Sequence, residues 1–200
     1  MKKKNSINIL KLNGKAIEPY ITSLASLRIQ VFREFPYIYD GSVEYEKKYL
    51  SVYVGSPSSI AMLVFDGDEM VGASTGLPLA DETAEFKKPF LDNGMDPQTI
   101  FYCGESILLS DYRGRGIYSS FINGRENHAK NLEKFSTICF CAVQRAENHP
   151  LRPEGYQPLD PVWKKFGYTK FPELKTYYSW RDVNEKKESA KEMVFWLKKL

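Results

Sequence analysis

The sequence lacks any apolar run close to the roughly 20 residues needed to cross a bilayer. Its first apolar segment, after Lys2-Lys3-Lys4, is interrupted by Asn8 and Lys11, which does not suit a secretory signal. The expectation is a soluble, cytoplasmic protein without a membrane partner. Cysteine is scarce: Cys103, Cys139 and Cys141 are an odd set inside apolar, strand-like segments. That argues against a disulfide framework, and with no second Cys or His pair at ligand spacing no metal site is expected. The two histidines, His128 and His149, have no partner at triad or ligand spacing. An excess of one charge is missing too, since 28 basic against 25 acidic residues leave +3, too mild to suggest a nucleic-acid partner.

What is present is enough for one substantial core: 200 residues, 42% hydrophobic and 14% aromatic, read as one domain over residues 1–200. Alternation over Ile7 to Leu12 predicts a half-buried strand. Ile17, Ile21, Leu24, Leu27 and Val31 keep one helical stripe, with Pro19 tolerated in the first turn. Ser42 is placed to cap a second helix running to Tyr53. Asp-Gly between Ile60–Phe65 and Met70–Leu79 predicts a hairpin. A short helix is expected near Thr83 to Leu91, then a strand from Phe101 to Leu109 and a helix from Ile117 to about Phe135.

Thr137 to Val143 reads as a buried strand, and four prolines make residues 144–161 irregular. A short helix from Pro161 to Phe166, stopped by Gly167, follows. Lys175–Trp180 and Glu192–Lys198 are expected to pair as a long hairpin, with a C-terminal helix over residues 186–200 as the competing assignment. The order is that of a mixed α/β sheet with helices on both faces.

The informative junction is Glu105 to Ile122, where a short apolar strand meets Ser110-Asp111-Tyr112-Arg113-Gly114-Arg115-Gly116 and then a helix. The first turn of a helix has unpaired N–H groups and partial positive charge, which together hold an anion. Gly114 and Gly116 let the backbone approach a phosphate, and Arg113 and Arg115 add charge. The loop has neither the Gly-Lys-Ser/Thr ending of a Walker A motif nor the third glycine of a dinucleotide fingerprint.

Residues Arg113 to Tyr118 resemble the acetyl-CoA pyrophosphate loop of the GNAT superfamily of N-acetyltransferases, Q/R-x-x-G-x-G/A. Arg113 and Gly116 match, and Tyr118 stands where the family has Gly or Ala. Val162 to Tyr168 resembles the family's fourth-helix segment, and Asn148 resembles the Asn near the pantetheine. The resemblance covers about residues 7 to 198. It implies a mostly antiparallel central sheet of about seven strands and acetyl-CoA as co-substrate, bound by Leu108, Leu109, Arg113, Gly114, Arg115, Gly116, Ile117, Tyr118, Ser119, Asn148 and Trp163.

The implied reaction is acetyl transfer from acetyl-CoA to a primary amine of a small molecule or peptide. Glu105 is the candidate general base. The family's acid position holds Trp163, which leaves Tyr156, Tyr168 or water to protonate the thiolate. Arg33, Tyr37, Tyr39 and Arg152 are candidate acceptor contacts. A homodimer is one option for the assembly. Alternatives are a non-catalytic acyl-CoA-binding regulatory module, suggested by Tyr118 and Trp163, and a nucleotide- or RNA-binding domain using the same loop.

Overall fold

A computed structural model describes residues 7–200; the Lys2-Lys3-Lys4 run lies outside the described residues. β1 (Ile7–Leu12) leads into a 3-10 segment, Gly14–Tyr20, and then α1 (Ile21–Phe32). The helix expected from Ile17 therefore begins in the tighter form. Pro19 has no N–H and disfavours the α conformation at Glu18, so regular α bonding starts only beyond it. α2 (Val43–Gly55) has the expected cap, Ser42 Oγ accepting from the Tyr45 N–H at 3.3 Å.

β2 (Ile60–Asp66) and β3 (Glu69–Pro78) form the hairpin, with Gly67 at φ 62° in its turn. α3 (Ala84–Asp92) follows. The single strand expected over Phe101 to Leu109 is two: β4 (Ile100–Tyr102) and β5 (Ser106–Leu108), interrupted at Cys103-Gly104-Glu105. α4 (Ile117–Asn131), β6 (Thr137–Val143), α5 (Asp160–Lys165), β7 (Thr169–Trp180) and β8 (Ser189–Lys199) complete the chain. The C-terminal segment is a strand, since its apolar residues Met193 to Leu197 pair along β6 on one side and β7 on the other.

The eight-stranded sheet runs β1-β2-β3-β4-β6-β8-β7, with β5 paired to β3. Only β4 and β6 are parallel neighbours. Counting β4 and β5 as one bent strand gives the expected seven. Side chains alternate between two cores. Cys139 and Cys141 join α1, α2 and α3 residues such as Leu24, Tyr53 and Phe90, while Ile138 and Phe140 join Phe121 of α4 and Trp163 of α5. β7 forms one margin of the sheet, and its register against β8 slips between Phe171 and Lys175, a stretch that holds Pro172.

The interruption separates strands that would otherwise pair. β4 bonds both β3 and β6, and Cys103 N–H still reaches the Cys139 carbonyl at 2.8 Å. Beyond it β5 follows β3 alone, and β6 follows β8 alone. The gap between them is the molecule's main cleft.

Gly104 sits at the break with the buried Tyr53 hydroxyl against it, and a Cβ there would lie 1.9 Å from that oxygen. Tyr53 is fully enclosed and has no room to withdraw. Gly104→Ala is therefore expected to lose about 1–3 kcal/mol of stability, at roughly 2–4 °C of Tm per kcal/mol, measured by chemical and thermal denaturation.

Candidate active site

The cleft is a cavity of about 310 Å³. Cys103, Gly104, Glu105 and Ser106 form one side, Phe140 to Arg145 the other, and Tyr118, Arg125 and Trp163 line it from the helices. Alternation decides which backbone groups face it. The Leu109 N–H donates to the Val71 carbonyl at 2.9 Å, so Ile107 also faces β3, while Ser106 and Leu108 turn their amides into the gap. Leu108 is thus placed as expected from the sequence, and Leu109 is not.

The loop ahead of α4 has left-handed glycines at the start of the helix. Gly116, at φ 80°, is the N-cap, and Gly114 is also left-handed at φ 73°. Neither has an atom within 4 Å of where a Cβ would stand. The N–H groups of Gly114, Arg115, Gly116, Ile117 and Tyr118 donate to no acceptor among the described residues, whereas Ser119 already donates to the Gly116 carbonyl at 3.1 Å. Five adjacent free amides at a helix start can chelate a pyrophosphate.

The loop arginines bond within the protein. Arg113 donates to the Leu108 carbonyl at 3.1 Å and to Glu34 at 2.8 Å, and Arg115 reaches the Asp111 carbonyl at 2.6 Å. Both shape the loop rather than stand free beside it.

Glu105 is held at both ends. Its carbonyl accepts from Thr75 N–H at 3.2 Å, Ser74 Oγ at 3.0 Å and Arg125 Nη1 at 2.9 Å. Its carboxylate accepts from Arg28, which also donates to Glu46. The remaining oxygen, Oε1, is buried without a hydrogen-bond partner. Burial raises the Glu105 pKa against the opposing pull of Arg28, so the carboxyl holds a proton more readily than an exposed one.

The other candidates separate. Tyr156 lines the cavity, edge-on to Phe35 and beneath the Arg152 guanidinium. Tyr168 is buried in the core against Phe140 and lies outside the lining. Asn148 is exposed and does not line the cleft. Arg33 is exposed and paired with Asp40 at 3.0 Å. Tyr37 lines the cleft, and together with Tyr39 it also lines a second, aromatic cavity.

Two residues, Arg125 and Arg145, and one contact, between Trp163 and Tyr118, were missed from sequence. Trp163 Nε1 donates to the Tyr118 hydroxyl at 2.8 Å, which joins α5 to the first turn of α4 and leaves the hydroxyl proton free. Arg125 is buried with Nε unpartnered. Arg145 grips Asp182 with two bonds, at 2.7 and 2.9 Å, and donates to the Pro36 and Tyr37 carbonyls, both at 2.8 Å. It fastens the α1–α2 loop to the β7–β8 loop. Arg125 sits four places beyond Phe121 on the buried stripe of α4, an offset that marks it as an inward charge. Arg145 carries no such mark.

No helix among the described residues is long and apolar enough to cross a membrane, and no group of three or more His, Cys, Asp or Glu among them could hold a metal ion.

No protein-family model matches the chain, and no curated protein matches its sequence. Solved structures match along its whole length. An acetyltransferase of the GNAT family from Streptococcus pneumoniae is 11% identical at a TM-score of 0.60, covering 98% of this chain and 100% of that one. Arabidopsis thaliana NAA60 in complex with acetyl-CoA is 14% identical at 0.59, covering 98% and 99%. YncA, a putative acetyltransferase from Salmonella typhimurium with its cofactor acetyl-CoA, is 7% identical at 0.58, covering 98% and 95%. The fold is that of the GNAT acetyltransferases.

Glu82 lies just outside the cleft, buried, with one oxygen accepting from Thr83 N–H at 3.0 Å and the other unpartnered. Burial, helped by nearby Glu105, pushes its pKa up to about 7. The folded protein therefore binds this proton more tightly than the unfolded chain. The stability it contributes is complete below about pH 4.5 and is lost as pH rises through about 7. Glu82→Gln should match the parent near pH 5 and exceed its Tm at pH 8, by thermal melts across that range.

Proposed function

We propose that the protein is a GNAT-superfamily N-acetyltransferase that moves an acetyl group from acetyl-CoA to a primary amine. The carrying observation is the run of five unpaired amides, Gly114 to Tyr118, that follows β5 where it parts from β6 and ends at Tyr118 in the cleft lining. The residues present fit the co-substrate. Gly114 and Gly116 leave the loop face open, and the Ser106 and Leu108 amides face the gap where an amide-bearing pantetheine would bond as an added strand.

Acetyl-CoA supplies the activated acyl group and a thiol leaving group. Much of the acceleration comes from holding the amine against the thioester carbonyl, with backbone amides at the strand break stabilising the charge that develops there. Glu105, in reach of the cavity with its pKa raised, takes a proton from the amine. Tyr118 supplies the proton to the departing thiolate, because Trp163 occupies one lone pair of its hydroxyl and leaves the O–H to donate into the cleft. The acid has moved from α5 to α4. Burial raises the Tyr118 pKa, so it stays protonated at neutral pH.

A second reading, a non-catalytic acyl-CoA-binding module, is favoured by the same Trp163–Tyr118 bond, since it ties the two helices flanking the gap. Turnover separates the two.

Calorimetry should show acetyl-CoA binding that Gly116→Val abolishes, since a β-branched residue at φ 80° strains the loop and crowds its open face. No binding by the parent protein at millimolar ligand would remove the proposal. Tyr118→Phe should lower kcat by roughly 10²-fold with acetyl-CoA affinity retained, measured by CoA release. An unchanged kcat would return the proton to water or Tyr156.

A further inference from the structure

The second cavity, of about 80 Å³, lies on the α1–α2 side of the strand break. Phe32, Tyr37 and Gly104 line it and also the main cleft, so the two meet at the interruption. Its walls are aromatic, with Tyr39, Tyr45, Tyr49, Tyr102, Tyr178 and Trp180, and the Tyr45 and Tyr178 hydroxyls bond each other across it. Arg28 and Glu46 are its charged lining, and Arg28 is the only cation there.

Charge decides what it accepts. Arg28 faces two carboxylates, Glu46 and Glu105, and with Arg125 against the Glu105 backbone and the buried Glu82 beyond, two guanidiniums stand among three carboxyl groups. The Arg28 guanidinium is already stacked over Phe32 and Tyr49, at 4.9 and 4.6 Å. Another cation would find aromatic faces and a carboxyl excess; an anion would find only tyrosine hydroxyls and an Arg28 already bonded to Glu46 and Glu105. Size narrows it further. The volume is about half of the ~150 Å³ apolar cavity that admits benzene, so it takes a slender stem and excludes a branch.

We infer, building on the acetyl-transfer reading, that this cavity is the acceptor channel. Its substrate is a primary amine at the end of an unbranched apolar stem, with no carboxylate or peptide group on the carbon bearing the nitrogen. Free alkylamines and the lysine side chain share this chemistry. The ammonium loses a proton toward Glu105 at the strand break, and its nitrogen bonds the acetyl carbon. The carbon–sulfur bond then breaks, and of the two protons shed by the nitrogen one equivalent ends on the thiol and one in solvent.

Initial rates of CoA release are compared for n-butylamine, Nα-acetyl-lysine amide, alanine and a dipeptide with a free N-terminus. Calorimetry with acetyl-CoA runs in parallel. The expected result is kcat/KM for the first two at least about tenfold above the last two, the rank between them telling free amine from lysine side chain.

Tyr45→Ala opens the mouth at an exposed wall residue and should raise KM for the favoured amine by about tenfold, with acetyl-CoA affinity unchanged. Preference for alanine or the dipeptide, an unmoved KM in Tyr45→Ala, or CoA binding with no amine consumed would each overturn the inference while leaving CoA binding intact. Failure of acetyl-CoA to bind at all would instead bring down the transferase reading and the inference with it.

Discussion

The structure depends on how one residue is held. Glu105 has its carbonyl gathered by two strand-β3 groups and the Arg125 guanidinium, and its carboxylate drawn the other way by Arg28. A residue fixed from both faces of the sheet cannot continue the straight run of β4, so the chain turns at Gly104 and β5 leaves β6. The cleft, its inward amides and the meeting of the two cavities all follow. Burying this much charge is costly on its own account: a buried ion pair is often no better than apolar packing, and its value here is geometric. Removing one partner would leave the others stranded, at about 3–5 kcal/mol.

The two sides of the cleft are built from distant parts of the chain. The carrier side is local, a strand end, a loop and a helix start within about fifteen residues. The aromatic side needs the α1–α2 loop, α2, and both strands of the C-terminal hairpin. Arg145 joins these, gripping Asp182 of the hairpin and the Pro36 and Tyr37 carbonyls of the loop, and Lys191 adds a further bond to Asp182 at 3.2 Å. Trp180 Nε1 donates to the Tyr37 carbonyl at 3.1 Å and closes the same corner.

Legibility from sequence followed this division. The glycine loop, the Asp-Gly hairpin, the Ser42 cap and the strand at Thr137–Val143 are local signals, and each stands where periodicity and turn chemistry put it. The interruption at Cys103-Gly104-Glu105 was not legible, because a lone glycine is tolerated within a strand and the groups that hold the break, Arg28, Ser74, Thr75 and Arg125, come from distant elements. The bonds that Arg113 and Arg115 make to the Leu108 and Asp111 carbonyls were not legible for a related reason: charge beside a glycine loop carries no sign of the carbonyl it reaches. Tyr168 resembled a site residue by its neighbours in sequence, yet after the Gly167 turn its ring packs into the core against Phe140. The pairing of Tyr118 with Trp163 spans two helices and leaves no trace in either segment alone.

The outer margin of the sheet carries its own safeguard. β7 has a long outer edge, and open edges invite other chains to add on as further strands. The slip between Phe171 and Lys175 places Pro172, which has no amide hydrogen to offer, in the middle of that edge, with Lys170 and Lys175 on either side. A chain crowded with aromatic side chains would otherwise be at risk of fibrillar accretion, and this short irregularity makes the border a poor template for it.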